Sequence, residues 1–480
     1  MTMGISMRPL TLILLLATGA CSMTPKLNLP PAPVADSYPG ADTAATAEAL
    51  PAWRGMFGDP RLQRLVALSL DANRDLRIAA LNAEAARAQR TVQRAQSLPS
   101  INAEGGYSRQ RQPAGATGAA VGGTSGNGAT GIEFGQFTAQ AALTSFEIDL
   151  FGRLRALNEA AFHRWLSSVE ARHAVRLNVI GTVVDAYLNE RLAEEQLSLT
   201  RSTLADWETS LDISRRLKAA GQASGVDLAQ AQGLVRQAQA DLAQRERELA
   251  QASNALTLAV GAPLPGDLPP PISLMDQPIR TELNAGTPSD LLIHRPDIAQ
   301  AEQELRAANA DVGAARAAFF PRISLTAAFG FASRAFEGLF QGANRSWSYS
   351  PAISVPVFRG GELRGNLDIA KLRTSTAVAT YEKTIQTAFR EVADGLAARA
   401  TYATQLTELR AVVTQAQRRA SLAQLSYSAG MSSRLELLDA QRATYAAQQA
   451  ALVVRRDELA SAAALYRALG GDTGQNTDTP

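Results

Sequence analysis

The chain has 480 residues, 46% of them hydrophobic and 19% charged, with 47 Lys and Arg against 45 Asp and Glu for a formal charge of +2. That balance gives no electrostatic reason to expect a nucleic-acid partner. One cysteine and three histidines exclude an internal disulfide and a paired-His metal motif, and 6% aromatic content with abundant alanine favours long helices over the three compact domains that length alone allows.

In chain order, residues 1–20 read as a signal peptide. Arg8 supplies a basic start, Leu10 to Leu16 an apolar stretch too short to span a bilayer as a mature helix, and Thr18, Gly19 and Ala20 the small residues before Cys21. Three readings compete for Cys21: a leftover signal residue, an unpaired buried thiol, or a lipidated N-terminus. The last explains why the cysteine directly follows the small residues. The stretch resembles a bacterial lipoprotein signal, which implies N-acyl and S-diacylglycerol groups on Cys21 and, with Ser22 next, routing to the outer membrane. Pro25, Pro30, Pro31, Pro33 and Pro39 then keep residues 21–59 extended, as suits a tether.

Residues 60–260 form a first repeat: a helical run over about 60–97, two strands, and a run over 154–260. Ile101, Ala103 and Gly105, then Phe137, Ala139, Ala141, Leu143 and Ser145, alternate as strands do. Gly115 to Gly131 between them reads as a loop; without a Lys-Ser/Thr ending it is no phosphate loop. Ile180, Val184, Leu188 and Leu192 then show helical spacing. The run from Arg153 to Ala219 would reach about 100 Å at 1.5 Å per residue, too long for a compact domain. Gly221 is the turn where this helix folds back.

Proline-rich residues 261–295 read as an irregular connecting belt. Residues 296–470 then repeat the pattern: helix 296–319, strands through Ile323, Leu325, Ala327, Phe329 and Phe331 and from Trp347 to Val357, and a helix over 361–469 that turns at Gly430. The spacing of 209 residues separates Gly221 from Gly430 and Gly261 from Gly470 alike. Such a period is far longer than a solenoid unit and reads as duplication of a whole helix–hairpin–helix module. Residues 471–480 are a tail.

Four strands leave two edges, and open edges cannot sit in hydrocarbon. Closed membrane barrels have at least eight strands. A four-stranded chain must therefore be soluble or share its barrel between copies. The strands interrupt helices longer than a soluble domain needs, which favours the shared barrel.

The chain resembles the outer membrane efflux duct family, the TolC-like outer membrane factors, and most closely their OprM-like lipoprotein branch. The resemblance rests on Trp53 with Phe57–Gly58–Asp59–Pro60, Asn73–Arg74–Asp75–Leu76, Leu98–Pro99 and Asp149–Leu150–Phe151–Gly152–Arg153. It continues through His294–Arg295–Pro296–Asp297, Phe320–Pro321, Tyr427–Ser428–Ala429–Gly430 and Leu437–Leu438–Asp439–Ala440. It implies a mostly helical fold with two pseudo-repeats, closing as a homotrimer into a 12-stranded transmembrane β-barrel continued by a periplasmic α-helical barrel. It implies passive efflux of drugs or other small toxic compounds, with a periplasmic adaptor and an inner-membrane pump of the resistance-nodulation-division type as partners. At the periplasmic tip it implies a latch of Asp227, Tyr427 and Arg434, with Ser432 where some members place arginine, and an acidic ring of Glu436 and Asp439.

Two rival functions remain. Against an enzyme, His163, His173 and His294 lack ligand spacing, and no strand–Ser–helix elbow occurs. An exported structural or adhesive coiled-coil lipoprotein would explain the helices but not the twice-repeated hairpins.

Overall fold

The computed structural model describes residues 22–39, 50–112, 132–283 and 295–471. Cys21, Gly115 to Gly131 and His294 lie outside the described residues. After a single turn at Trp53–Met56 come α1 (Pro60–Ala72), α2 (Arg74–Ala95), β1 (Ile101–Gln112), β2 (Ile132–Ile148), α3 (Arg153–Ala219) and α4 (Gly225–Val260). The second half supplies α5 (Pro296–Ala317), β3 (Arg322–Ser333), β4 (Arg345–Ser354), α6 (Glu362–Ser428) and α7 (Arg434–Ala468). The duplication is residue-for-residue in the long helices: α3 and α6 each have 67 residues and begin 209 positions apart.

The expected single run over 60–97 is two helices. Asn73 breaks it, because its side-chain oxygen accepts from the amides of Asp75 (2.9 Å) and Leu76 (3.2 Å) and so caps α2. Its amide group also donates to the carbonyl of Ala259 at 3.0 Å, holding the break against the end of α4. There Gly261, with φ +78°, lets the chain leave the helix; a Cβ would stand 3.0 Å from Asn73 Cα.

The fold has two compact units, each drawing on both repeats. One comprises residues up to Leu29, Ala85–Trp165 and Gln303–Val378. It holds an antiparallel sheet in the order β1-β2-β3-β4. Register and the two-residue period give this sheet two chemically different faces. One carries Ile101, Ala103 and Tyr107 of β1, Phe137, Ala139, Ala141 and Leu143 of β2, Leu325, Ala327 and Phe329 of β3, and Trp347, Tyr349 and Ile353 of β4. The other carries Asn102, Glu104 and Ser108, then Gln136, Thr138 and Gln140, then Ser324 and Thr326, then Ser346, Ser348 and Ser350.

The alternation expected to run through Ser145 is broken there. A register shift lies between Leu143 and Phe146, with Ser145 at φ +52°. This bulge resets the parity, so Phe146 and Ile148 face Leu325 and Ile323, and the apolar face runs on to the strand end. The helices of this unit close below the sheet through Arg90, whose guanidinium sits 4.6 Å from the Phe162 ring and 5.1 Å from Trp165. Asn158 donates to Ser97 at 2.7 Å, and Thr374 to the Ala308 carbonyl at 3.2 Å.

The second unit comprises Pro30–Glu84, Leu166–Glu302 and residues from Ala379 on. Ile180, Val184 and Leu188 of α3 are buried in it, as their spacing predicts. It also holds the wholly buried Asp59. That carboxylate caps α1 through the Arg61 and Leu62 amides, and accepts the Tyr187 hydroxyl at 2.6 Å and the Gln277 amide at 3.0 Å. Burial, then the Asp59 carboxylate, pushes the Tyr187 phenol well above its ordinary pKa. Among its described residues, the belt after Gly261 is irregular apart from one turn at Leu274–Asp276 and a bridge pairing Ile279 with Phe57. Arg455 of α7 ties it down by donating to the carbonyls of Leu274 and Gln277, both at 3.3 Å.

Candidate functional site

The two helix turns of the second unit are built alike. At the first, the Gln222 amide returns to the Leu217 carbonyl (2.8 Å), that of Gly221 to Lys218 (3.0 Å), and Gly221 takes φ +73°. At the second, Met431 returns to Ser426 (2.9 Å), Gly430 to Tyr427 (3.0 Å), and Gly430 again takes φ +73°. Both are left-handed glycine stops that satisfy the last carbonyls of a long helix. Three residues later a serine restarts the chain: Ser224 accepts from the Asp227 amide at 3.1 Å, and Ser433 from the Glu436 amide at 3.3 Å. Asp227 reciprocates, accepting from the Ser224 amide (3.0 Å) and hydroxyl (2.8 Å), which completes a capping box. Those Ser224 contacts chiefly hold the Asp227 carboxyl below its ordinary pKa, with the Arg434 charge contributing least.

The tips differ in what spans them. Tyr427 and Arg434 stand 209 positions after Lys218 and Gly225. At the first tip the Lys218 ammonium lies 3.2 Å from where a Gly225 Cβ would be. At the second, the Arg434 side chain, 5% exposed, donates to the Tyr427 hydroxyl at 3.3 Å. It also donates to the Ser210 carbonyl (2.8 Å) and hydroxyl (2.5 Å) on α3. One guanidinium thus ties the start of α7 both to its own hairpin partner α6 and to the other repeat. Farther along, Tyr445 of α7 meets Thr200 of α3 at 2.8 Å and packs edge-on against Trp207.

The structure therefore brings Tyr427 and Arg434 together, while the hydrogen bonds of Asp227 go to its own cap. Ser432, in the place where arginine was expected by resemblance, has a buried hydroxyl without a hydrogen-bond partner among the described residues. The two carboxylates expected to form a ring are unlike: Asp439 pairs with Arg419 at 2.7 Å, whereas Glu436 occupies the first turn of α7. Ser210, Arg419 and Tyr445 were not singled out in the sequence. Arg419 has a signal, since it and Asp439 lie eleven residues before and nine after Gly430, where a hairpin brings them level. Ser210 has none, being 224 positions from Arg434 in the other repeat.

The sequence model of the family described as outer membrane efflux protein matches residues 65–262 and 287–471, which covers both repeats. The chain belongs to the outer membrane efflux protein family. It is similar to the toluene efflux pump outer membrane protein TtgF of Pseudomonas putida, with 43% identity over 474 residues and 96% of each chain covered. It is 42% identical over 462 residues to outer membrane protein OprJ of Pseudomonas aeruginosa, covering 96% of this chain and 95% of that one. Its fold matches the open-state MtrE outer membrane channel of Neisseria gonorrhoeae with a TM-score of 0.85 and 36% identity, over 96% of this chain and 100% of that one. As an outer membrane efflux protein, it is the outer-membrane channel of an efflux system and not an enzyme. None of its helices among the described residues is long and apolar enough to cross a membrane. The two-faced sheet is the membrane element.

Proposed function

We propose that this outer membrane efflux protein is the exit duct of a tripartite system. Three copies close their sheets into a twelve-stranded barrel, and a periplasmic adaptor connects the duct to a resistance-nodulation-division pump in the inner membrane. The duct passively carries drugs, solvents of the toluene kind and other small toxic compounds outward. The observation that carries this reading is the sheet itself. Its apolar face suits lipid and its hydroxyl- and amide-bearing face suits a hydrated lumen. Its β1 and β4 edges have no further strand partner among the described residues, and in hydrocarbon both must be paired. Joining β4 of one copy to β1 of the next pairs every edge.

Cys21, with N-acyl and S-diacylglycerol groups, anchors the mature chain beside the barrel. At the tips Arg434 and Tyr427 hold the resting duct narrow, assisted by the charge of Asp227, and Glu436 with Asp439 lines the mouth. Passive conduction needs no selective chemistry in the tube, so the pump chooses the cargo. The deciding experiment measures the native mass of the purified protein and its conductance in planar bilayers. A trimer with discrete conductance steps supports the duct. A monomeric or rod-like species without conductance supports the structural lipoprotein and defeats the duct.

A further inference from the structure

The first described residues of the chain are not loose beside the fold. Asn309, 8% exposed on α5, donates to the Pro25 carbonyl at 2.8 Å. One helical turn onward, Gly313 meets Thr24 so closely that a Cβ there would stand 2.7 Å from Thr24 Cα and 2.8 Å from Thr24 N. Two of the three close atoms are Thr24 backbone, so rotating its side chain could not relieve the clash. Glycine is the poorest helix former after proline, and α5 carries it inside the helix, about one turn before its last residue Ala317. The close approach of the N-terminal segment is what requires it.

The direction of the segment matters as much as the contact. Stepping back from Pro25 to Thr24 moves from Asn309 to Gly313, toward the sheet. Three further residues of extended chain reach at most about 10 Å, which corresponds to about seven residues of helix rise. That reach ends level with Phe319 and Phe320, at the junction of α5 and β3. Phe320 stacks on Phe151 at 4.9 Å, and Val357 and Phe358 are strongly exposed beyond β4. This apolar collar is where the lipid-facing side of the sheet begins.

We propose that Asn309 and Gly313 form a seat for Ser22–Pro25 that fixes the height of the acylated Cys21 at the lower edge of the barrel's apolar face. The lipid anchor and the barrel are thereby set in register on one helix. The seat rests on the anchor reading for its purpose, but its geometry stands without it. Asn309 and Gly313 are positioning residues: they touch the segment, not the lipid.

Limited trypsin digestion of the purified oligomer tests the seat, because Lys26 is the first Lys or Arg after Cys21 and its cleavage releases residues 21–26. Release should be slow in the wild-type protein, and faster by about tenfold or more in Gly313→Ala, as expected when local opening governs proteolysis. Alanine favours the helix, so faster release cannot come from a weakened α5. Equal release rates in wild type and Gly313→Ala, with the oligomer intact in both, would overturn the proposal. Should Gly313→Ala fail to assemble, Asn309→Ala decides by the same comparison. The mass of the released peptide separates the two readings: an unlipidated peptide released slowly from wild type and quickly from the variant defeats the anchor and keeps the seat.

Discussion

The Arg434 guanidinium sits 5.3 Å from the centroid of the Tyr427 ring while donating to its hydroxyl. A cation over a ring face, nearly out of water, gains from the ring's quadrupole as well as from the hydrogen bond. The same side chain also holds Ser210, so moving α7 away from α3 would break the Ser210 contacts, and moving it away from α6 the Tyr427 ones. Arg434 is the residue the two sets of contacts share.

Replacing Arg434 by alanine should open the tip. Loss of hydrogen bonds to a charged group is worth about 1–3 kcal/mol, which shifts a closed-to-open ratio by about 5- to 150-fold. Single-channel conductance of the intact trimer should rise, whereas Lys218→Ala at the other tip should leave it near wild type. The double change Asp227→Ala with Tyr427→Phe should also raise conductance. Wild-type conductance in Arg434→Ala would remove the latch.

Glu436 and Asp439 should have comparable effects on ion selectivity. Asp439 is paired with Arg419, whereas Glu436 stands in the helix-start position, favoured by exposed amides. Glu436→Gln should lower cation preference in reversal-potential measurements. Asp439→Asn should lower it to a similar extent, because it also changes the charge by one per copy, leaving Arg419 unpaired. Unaltered reversal potentials in both variants would rule out a ring.

Acid should not release the cap at the first tip until low pH. The Asp227 carboxyl titrates below its ordinary 3.8, so its contribution is present above the unfolded pKa and lost as pH falls through the lower folded value. Helix-tip protection against hydrogen exchange, relative to the unstructured rate at each pH, should stay constant from neutrality to mild acid. Lower protection at the first tip already near pH 5 would contradict this.

Tyr187→Phe should destabilise the protein by about 2 kcal/mol, since it leaves a buried carboxylate short of one donor. The raised phenol pKa means the contribution is complete below the ordinary value of 10 and fades only as pH rises through the higher folded value. Thermal melting of Tyr187→Phe against wild type at neutral pH checks the loss, and an unchanged melting temperature would mean the Asp59 network is energetically idle.

Deleting Thr144 should leave barrel assembly intact. It removes the one extra residue, so Ser145 alone separates Leu143 from Phe146, and Phe146 and Ile148 stay on the apolar face of a regular strand. Trimer yield after membrane extraction is the readout. A lost trimer would show that the bulge itself, and not only the parity it preserves, is required.

The long helices were legible because alanine-rich 3.6-residue periodicity persists over many turns, and because Gly221 and Gly430 end them by a mechanism that only a left-handed residue supplies. The duplicated frame was legible from landmark spacing alone. Asn73 was not, since an asparagine inside a helical pattern becomes a cap only when a partner such as the Ala259 carbonyl holds its amide. The parity reset at Ser145 was hidden for a related reason: a bulge is set by the neighbouring strand, and the alternation on either side looks merely imperfect. At the tips, the serine caps and acidic third residues follow local rules, whereas the Arg434–Ser210 link joins two repeats and leaves no trace in local spacing.

The unequal tips have a consequence for symmetry. In a trimer the matched glycine turns make six nearly equivalent hairpins, yet the Lys218–Gly225 and Tyr427–Arg434 pairs alternate around the ring. The mouth is then three-fold in its chemistry although six-fold in its backbone. A partner built from identical copies cannot meet all six hairpins in the same way. It must bind in two distinct poses or leave alternate positions unfilled, and only the poses on the Arg434 hairpins meet the Tyr427–Arg434 contact.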